Sequence, residues 1–404
     1  MVWGSLLASI AMIGGIGYYA QLEALAWNNE EPKLHSKAEI NALMGAGYAL
    51  WVLGFLLFCL ICALRKRILL AIGVVRESAK AISAMPALII FPVFQCAGLL
   101  AFVVIWIVYA VFLASLGQIQ TNEIQVNGVP VVIRDFEYDK ETEYQAWFLL
   151  FCFFWTSQFI IALGEIVVAL SAAKWFFTRD KSQIGNKTVF QSVFQAIVFH
   201  AGTAAFGSLV IAIVSMIRAF LAYVQRKASK SGNKLMMTIL ACLQCCMCCL
   251  EKCMKFLNKN AYIQTAIFGT SFCKSAKEAF FLILRNAARV GTLSAISEIV
   301  VVLGKTFIAA ITGGCSYLLI DRTLESRISS PIAPVVLVVV MSYFAGCMFM
   351  NIFSIVTSTI LQCFIADEEM FNGSEESFSS QSLRSWVDSN NANFKTPGAI
   401  QPRS

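Results

Sequence analysis

Long apolar runs alternate with short charged segments along almost the whole chain, a pattern typical of proteins that cross a membrane several times. A helix of about 20 apolar residues spans the hydrocarbon core of a bilayer, roughly 30 Å. The pattern predicts an all-α, polytopic integral membrane protein with about seven or eight transmembrane helices and cytoplasmic amphipathic helices. In a membrane domain at 1–364, the predicted spans are 2–20, 43–64, 86–116, 147–173, 200–223, 290–320 and 334–364, with 235–250 as a conditional eighth.

Basic residues after the second apolar run set the predicted orientation. The triplet 65–67, Arg-Lys-Arg, follows that run directly, and lysine and arginine collect in cytoplasmic loops. We therefore expect 65–85 to form an amphipathic helix on the inner surface and the acidic segment 117–145 to lie outside. The tail at 365–404, rich in serine and asparagine, is predicted to be cytoplasmic and disordered.

A basic segment after residue 223 conflicts with this orientation. A single crossing by 200–223 would place four cations outside, namely Arg226, Lys227, Lys230 and Lys234. Two arrangements resolve the conflict. Either the region of Gly202 and Gly207 folds as a re-entrant hairpin, or 235–250 crosses back as a short span and the basic loop is an exception to the rule.

The composition agrees with a membrane protein and argues against other classes of protein. Hydrophobic residues make up 58% of the chain and charged residues 14%, which excludes a soluble domain. There are two histidines and no HExxH motif, and no nucleotide-binding glycine loop precedes the Gly304-Lys305 pair. We therefore expect no enzyme activity, cofactor or metal. The net charge of +7 belongs to loops at the membrane surface, so no nucleic acid partner is expected.

A cluster of cysteines invites comparison with a zinc site, but its spacing argues against one. The positions follow the helical intervals i, i+3, i+4, i+7 and i+11 as Cys242, Cys245, Cys246, Cys249 and Cys253. Thiolates along one straight helical stripe cannot surround a tetrahedral metal ion. Packing is the predicted role, and S-acylation near the inner surface is a further hypothesis.

The span at 147–173 carries one carboxylate, Glu165, inside an otherwise apolar run. At about 100° per residue, Trp155, Gln158 and Glu165 fall in one sector of the helix, together with Phe151, Ala162 and Ala169. An ionisable residue inside a span costs about 2.5–3.5 kcal/mol on insertion scales. Glu165 is therefore predicted either to line a substrate path or to pair with a basic residue of another helix.

Several segments carry a resemblance to a known family. The most specific is CCLEKCMKFLNKNAYIQTAIFGTSFCKSAKEAFFLILRNAARV at 248–290. The others are RKRILLAIGVVRESAKAI at 65–82, HAGTAAFGSLVIAIVSMIR at 200–218, Gly304-Lys305, and CFIADEE ending at Glu369. Over most of its length the chain resembles the choline transporter-like family, solute carrier family 44 type.

The resemblance implies a ten-span protein with both ends in the cytoplasm that takes up choline or a related amine such as ethanolamine. Ten spans favour the crossing by 235–250. The chain begins at what resembles the third helix of the family, without the first span, the large outer loop and the second span, which implies a fragment or a shortened gene product. Ser358, in the sequence VTST at 356–359, stands where many members carry an aspartate.

A quaternary amine cannot donate hydrogen bonds, so aromatic faces and a carboxylate at longer range would hold it. The predicted substrate-binding residues are Trp155, Glu165, Gln158, Phe154, Trp106, Tyr109 and Glu298. Lys305, His200 and Ser358 are predicted to be structural or gating residues. Glu298 and Lys305 lie about 10 Å apart along one helix, so each needs another partner. Lys305 with Glu165, Glu298 with a cation substrate, or a purely structural pair are the alternatives.

These residues predict transport of choline or a similar amine by facilitated diffusion or alternating access, supplying phospholipid synthesis. The expected partners are a small cationic substrate and membrane lipids. The expected location is the plasma membrane, or an organelle membrane, with the C-terminus in the cytoplasm. The alternative is a non-transporting membrane scaffold that binds partners through the surface of 251–289.

Overall fold

The computed structural model describes residues 2–29, 36–126, 129–230, 234–324, 332–371 and 377–379. Its elements are α1 (Val2–Asn29), α2 (Lys37–Ala84), α3 (Ala87–Ala114), β1 (Gln118–Val126), β2 (Val129–Glu137), α4 (Lys140–Phe177), a 3-10 turn (Lys181–Gln183), α5 (Asn186–Phe199), α6 (Ala201–Lys230), α7 (Lys234–Phe268), α8 (Phe272–Arg285), α9 (Ala287–Leu324) and α10 (Ile332–Phe371). Among the described residues, seven helical segments are long and apolar enough to cross a membrane, in α2, α3, α4, α6, α7, α9 and α10. The predicted class, a helical polytopic membrane protein, is confirmed.

Two places depart from the sequence-based expectation. The span at 43–64 and the amphipathic segment at 65–85 form one helix, because no glycine or proline lies between Gly54 and Gly73 to break it. Helix α2 ends at Ala84, just before Pro86, whose ring disfavours helical geometry in the residue before it. The acidic segment that was predicted to lie outside contains an antiparallel hairpin, in which β1 pairs with β2 from Gln118↔Glu137 to Val126↔Val129.

The structures of α6 and α7 can be compared with the two predicted arrangements, a re-entrant hairpin in the region of Gly202 and Gly207 or a crossing by 235–250. Gly202 and Gly207 lie inside the continuous helix α6, so the described structure contains a helix where a hairpin was one of two predictions. Gly207 serves packing instead. A Cβ atom there would collide with the hydroxyl of Tyr262 and with the Phe272 ring. The segment 235–250 is the first part of the longer helix α7, and its crossing of the membrane stays a prediction.

The chain forms two compact units. The second unit, Ala81–Arg285 with Ser358–Ala366, is built around α4, which packs against α3, α5, α6 and α7. Its core joins apolar side chains from α4 to small or aromatic ones from its neighbours, namely Ala162, Ile166, Val167, Leu170, Ala196, Ala204 and Tyr262. Alanines at these contacts let the helix backbones approach closely, as small residues do in membrane bundles.

The first unit contains α1, most of α2, α9 and most of α10. In it, Gly346 of α10 faces the backbone of Lys305 on α9, where a Cβ atom would lie 3.3 Å from the Lys305 Cα. Helix α10 continues to Phe371, past the predicted end of the membrane domain at 364. The first residues of the predicted disordered tail, up to Phe371, are therefore helical. An ion pair between Glu368 and Arg289, 2.8 Å long, stabilises this part of the helix. Residues 380–404 of that tail lie outside the described part of the chain.

Candidate functional site

The carboxylate of Glu165 lies in the second unit, on the part of α4 that packs against α7. Helix α7 carries Lys259 and Tyr262 three residues apart, and the Tyr262 ring packs in the same buried cluster as Ile166, the residue after Glu165. Glu165 is partly buried, and Tyr262 is only 2% exposed. One face of α7 therefore carries a cation and a phenol on the helix that packs against the one carrying Glu165.

The Tyr262 side chain is tightly enclosed by apolar and aromatic groups. Its ring centroid lies 5.9 Å from that of Phe272, which in turn lies 5.3 Å from that of Phe206. Its buried hydroxyl has no hydrogen-bond partner of good geometry among the described residues, although the side chain of Asn258 lies near it. A buried hydroxyl without a partner costs free energy and is available to a group that enters the site.

Asn258 shows how α7 is held in place beside α6. Its side-chain amide donates a hydrogen bond to the backbone carbonyl of Gly207 at 2.7 Å. Asn258 and Tyr262 are four residues apart, so both point from α7 toward the same side of the helix. The close approach of the two helices at Gly207 is thus fixed by one polar bond and one aromatic contact.

A chain of buried amides connects α7 to the last part of α10. Gln264 donates to Gln362 at 3.2 Å, and Gln362 donates to Asn260 at 2.7 Å. Asn260 then donates to the carbonyl of Phe256 at 2.7 Å. Polar side chains inside a membrane bundle have to satisfy one another in this way. These amide hydrogen bonds hold α7, the helix that carries Tyr262 and Lys259, against the last part of α10.

Both tryptophans predicted to bind substrate use their indole N–H to tie helices together. Trp155 of α4 donates to the carbonyl of Ala205 at 3.1 Å, and its side chain is 37% exposed. Trp106 of α3 donates to the carbonyl of Leu149 at 2.9 Å and packs against Phe153 with ring centroids 4.8 Å apart. Each indole therefore holds its helix against a neighbouring helix.

The remaining predicted residues are distributed over several helices. Gln158 and Phe154 are partly buried on α4, Tyr109 is 63% exposed on α3, and His200 lies at the junction of α5 and α6. In the first unit, Glu298 is exposed and Lys305 is partly buried on α9, while Ser358 of the second unit is partly buried on α10. The roles assigned to these residues stay predictions, as does the pairing of Lys305 with Glu165.

Asn258, Lys259 and Tyr262 were missed by the sequence analysis. Their segment, 251–289, was considered only as a surface for binding partners. The signal that could have found them is the spacing of Asn258, Tyr262 and Thr265, which places three polar side chains on one helical face. The side chains of Asn258, Tyr262 and Thr265 are all buried in the structure.

Other charged and thiol groups of α6 and α7 have separate arrangements. Glu251 of α7 bonds to Arg218 of α6 and, at 2.6 Å, to Lys255 one turn away. The cysteines of α7 are free and lie along one continuous helix. Within the described ranges, no group of three or more histidine, cysteine, aspartate or glutamate side chains is placed to hold a metal ion.

Long apolar helices with an ionisable cluster between them define a polytopic helical membrane protein. Residues 48–369 match the family model described as plasma-membrane choline transporter, and the chain belongs to that family. This membership, in a family of transporters, agrees with the prediction that the chain is not an enzyme.

Curated relatives extend the similarity over most of the chain. Choline transporter-like protein 2 of Dictyostelium discoideum is 34% identical over 344 residues, covering 83% of this chain and 54% of the relative. Choline transporter-like protein 2 of Xenopus laevis is 31% identical, covering 97% and 62%. Choline transporter-like protein 1 of Caenorhabditis briggsae is also 31% identical, covering 95% and 53%. The chain thus spans between half and two thirds of the length of these relatives.

Proposed function

We propose that the chain carries choline or a related amine, such as ethanolamine, across a membrane by facilitated diffusion or alternating access, and so supplies phospholipid synthesis. Family membership supports this function, since the matching model is named for choline transport. The observation that carries the proposal is the Glu165 carboxylate inside a helix long enough to span, next in sequence to Ile166, which packs in one buried cluster with the Tyr262 ring.

A quaternary amine suits such a site for physical reasons. It offers no N–H group, so its recognition depends on the faces of aromatic rings and on a carboxylate at longer range. Trp155 and Tyr262 supply rings close to the helix face that carries Glu165. An ionisable residue in a spanning helix is expensive, which favours a functional or a pairing role for it over chance.

Lys259 provides a cation that can occupy the place of the substrate's charge when the proposed site is empty. In the proposed substrate-free state, its ammonium partly offsets the charge of the Glu165 carboxylate across the contact of α4 with α7. An entering amine competes with that ammonium for the same carboxylate, so binding exchanges one cation for another and avoids leaving a buried charge unpaired. The membrane potential then favours inward movement of the substrate by about 2.3 kcal/mol per 100 mV, negative inside.

We propose the plasma membrane as the location, with a cytoplasmic C-terminus, and membrane lipids as the surrounding partners. The scaffold alternative draws on α8, which exposes Phe280, Phe281 and Leu284 beside its basic residues. An amphipathic helix of this kind fits a membrane surface as well as a protein partner, so α8 does not by itself favour the scaffold.

The test is uptake of labelled choline into vesicles that contain the purified chain. A potassium diffusion potential, set by valinomycin, makes the interior negative. We expect uptake that exceeds that of protein-free vesicles and increases with the potential, because choline carries one positive charge. A Glu165→Gln protein in matched vesicles is the control for the site. Equal uptake with and without protein would contradict the proposed transport and favour the scaffold.

A further inference from the structure

The end of α10 holds a short segment of the C-terminal tail. The carboxylate of Asp367 accepts hydrogen bonds from the Ser377 hydroxyl, from the Phe378 amide at 2.9 Å and from the Ser379 amide at 3.2 Å. Asp367 is only 1% exposed. A buried carboxylate in this position depends on those three donors to offset the cost of leaving water.

Contacts around Asp367 show that the segment is docked rather than merely close. The Phe378 ring lies 5.8 Å from the Phe371 ring, between centroids. The hydroxyls of Ser377 and Ser379 lie 2.8 Å apart, and Ser379 is 7% exposed. The docked residues 377–379 therefore place an aromatic ring and two serines against the helix end, with Ser379 buried and the other two partly buried.

The docking depends on the chemistry of one oxygen, Ser377 Oγ. A carboxylate can only accept hydrogen bonds, so Ser377 must donate. A phosphate on that oxygen removes the donor and adds about 1.5–2 negative charges, together with three more acceptor oxygens. Two like-charged acceptor groups cannot occupy the contact that the hydroxyl makes with Asp367. Phosphorylation and docking of Ser377 therefore exclude each other.

We propose that Ser377 is a phosphorylation site that controls whether residues 377–379 dock on the end of α10. A cellular serine kinase transfers the γ-phosphoryl group of ATP to Ser377 Oγ. The new O–P bond replaces the bond to the leaving ADP, and the hydroxyl proton passes to a base of the kinase. Because the docked hydroxyl faces Asp367, the kinase acts on the undocked segment, and the phosphate keeps it undocked.

Hydrogen exchange of the purified full chain in detergent tests the docking. Ser377→Ala removes one donor and leaves both backbone donors. We expect Ser377→Asp to raise the exchange rate of the Phe378 and Ser379 amides by about tenfold or more, the scale of a charge-assisted hydrogen bond. Ser377→Ala should give a smaller increase. Ser382→Asp, which adds the same charge elsewhere in the tail, should leave both rates unchanged.

A second substitution separates repulsion from general disruption. Asp367→Asn removes the carboxylate charge, so Ser377→Asp in that background should raise exchange much less than in the wild-type background. An equal increase in both backgrounds would overturn the electrostatic account. So would wild-type protection in Ser377→Asp alone.

The modification itself is measured in the chain expressed in eukaryotic cells with phosphatase inhibitors. Peptide mapping by mass spectrometry should find phosphate on Ser377, and the phosphorylated molecules should show the fast exchange of the 377–379 amides. Phosphatase treatment should restore slow exchange. Tail peptides that carry no phosphate at Ser377 would overturn the proposed site. None of these measurements involves transport, so their outcome is separate from that of the uptake experiment.

Discussion

Asn258 and Gly207 are joined by a hydrogen bond from the Asn258 side-chain amide to the Gly207 carbonyl, 2.7 Å long, across the contact of α7 with α6. The glycine has no side chain, so the Tyr262 and Phe272 rings fill the space that a Cβ atom would need. One backbone position thus governs both the polar bond and the aromatic packing beside Glu165.

Gly207→Ala should destabilise the protein by about 1–3 kcal/mol, because the added methyl group overpacks the contact with Tyr262. The measurement is thermal unfolding of the purified protein in detergent. Gly202→Ala is the matched control, since it lies in the same helix and its Cβ would meet no other group within 4 Å. An equal melting temperature for the two variants would contradict the packing argument.

Glu165→Gln should weaken choline binding by about tenfold, or ~1.4 kcal/mol, while the protein still reaches the membrane. The substitution keeps the shape of the side chain and removes the charge that attracts the amine. Binding of labelled choline to purified protein measures the effect without a transport step. Glu143→Gln is the matched control and should leave the affinity unchanged, because Glu143 is an exposed acid in the first turn of the same helix. Unchanged affinity in Glu165→Gln would remove Glu165 from the proposed site.

The Trp155 ring and the Trp155 N–H can be separated. Trp155→Phe keeps an aromatic face but loses the hydrogen bond to Ala205, whereas Trp155→Leu loses both. If the ring contacts the amine, Trp155→Leu should lower affinity by about 0.5–2 kcal/mol and Trp155→Phe by less. Binding isotherms of both variants decide the matter. Equal losses would indicate that Trp155 acts only by holding α4 against α6.

Glu165 and Lys259 should be coupled in stability. Removing either charge alone leaves the other poorly compensated inside the bundle, and Glu165→Gln with Lys259→Met should recover part of the lost stability, by about 0.5–3 kcal/mol. The double variant should not recover choline affinity. The same cycle with Lys305→Met tests the pairing predicted from the sequence. Coupling to Lys305 and none to Lys259 would reverse the assignment.

The sidedness of the loop between α6 and α7 can be measured by labelling. In a background without other cysteines, Ser229→Cys should react with an impermeant thiol reagent added from outside, because α6 and α7 are both long enough to cross. Gln183→Cys, in the exposed turn after α4, should react only after permeabilisation. Labelling of both positions from the same side would contradict the crossing by 235–250.

The sequence predicted what depends on local pattern. Apolar runs gave the helical class, and Glu165 stood out because it is the only charge in its run. The hairpin of β1 and β2 was missed although the pair Asn127-Gly128, a common hairpin signal, lies between the strands. The break expected near Arg65 does not exist, since a charge triplet does not end a helix in the way that proline does.

Long-range polar contacts could not be predicted from one sequence. Gln264 and Gln362 are 98 residues apart, and no local pattern indicates which amide will meet which. The role of Lys259 was likewise hidden, because lysines near a membrane boundary usually face water. In the structure Lys259 is partly buried and lies on α7, which packs against the helix that carries Glu165.

The amides of Gln264, Gln362 and Asn260 all donate in one direction, and the last one donates to a backbone carbonyl, which can only accept. Their dipoles therefore align head to tail, and each bond strengthens the next. Reversing one amide would bring oxygen against oxygen at one neighbour and nitrogen against nitrogen at the other. Helix α7 and the last part of α10 are thus expected to keep or lose their connection in a single cooperative step.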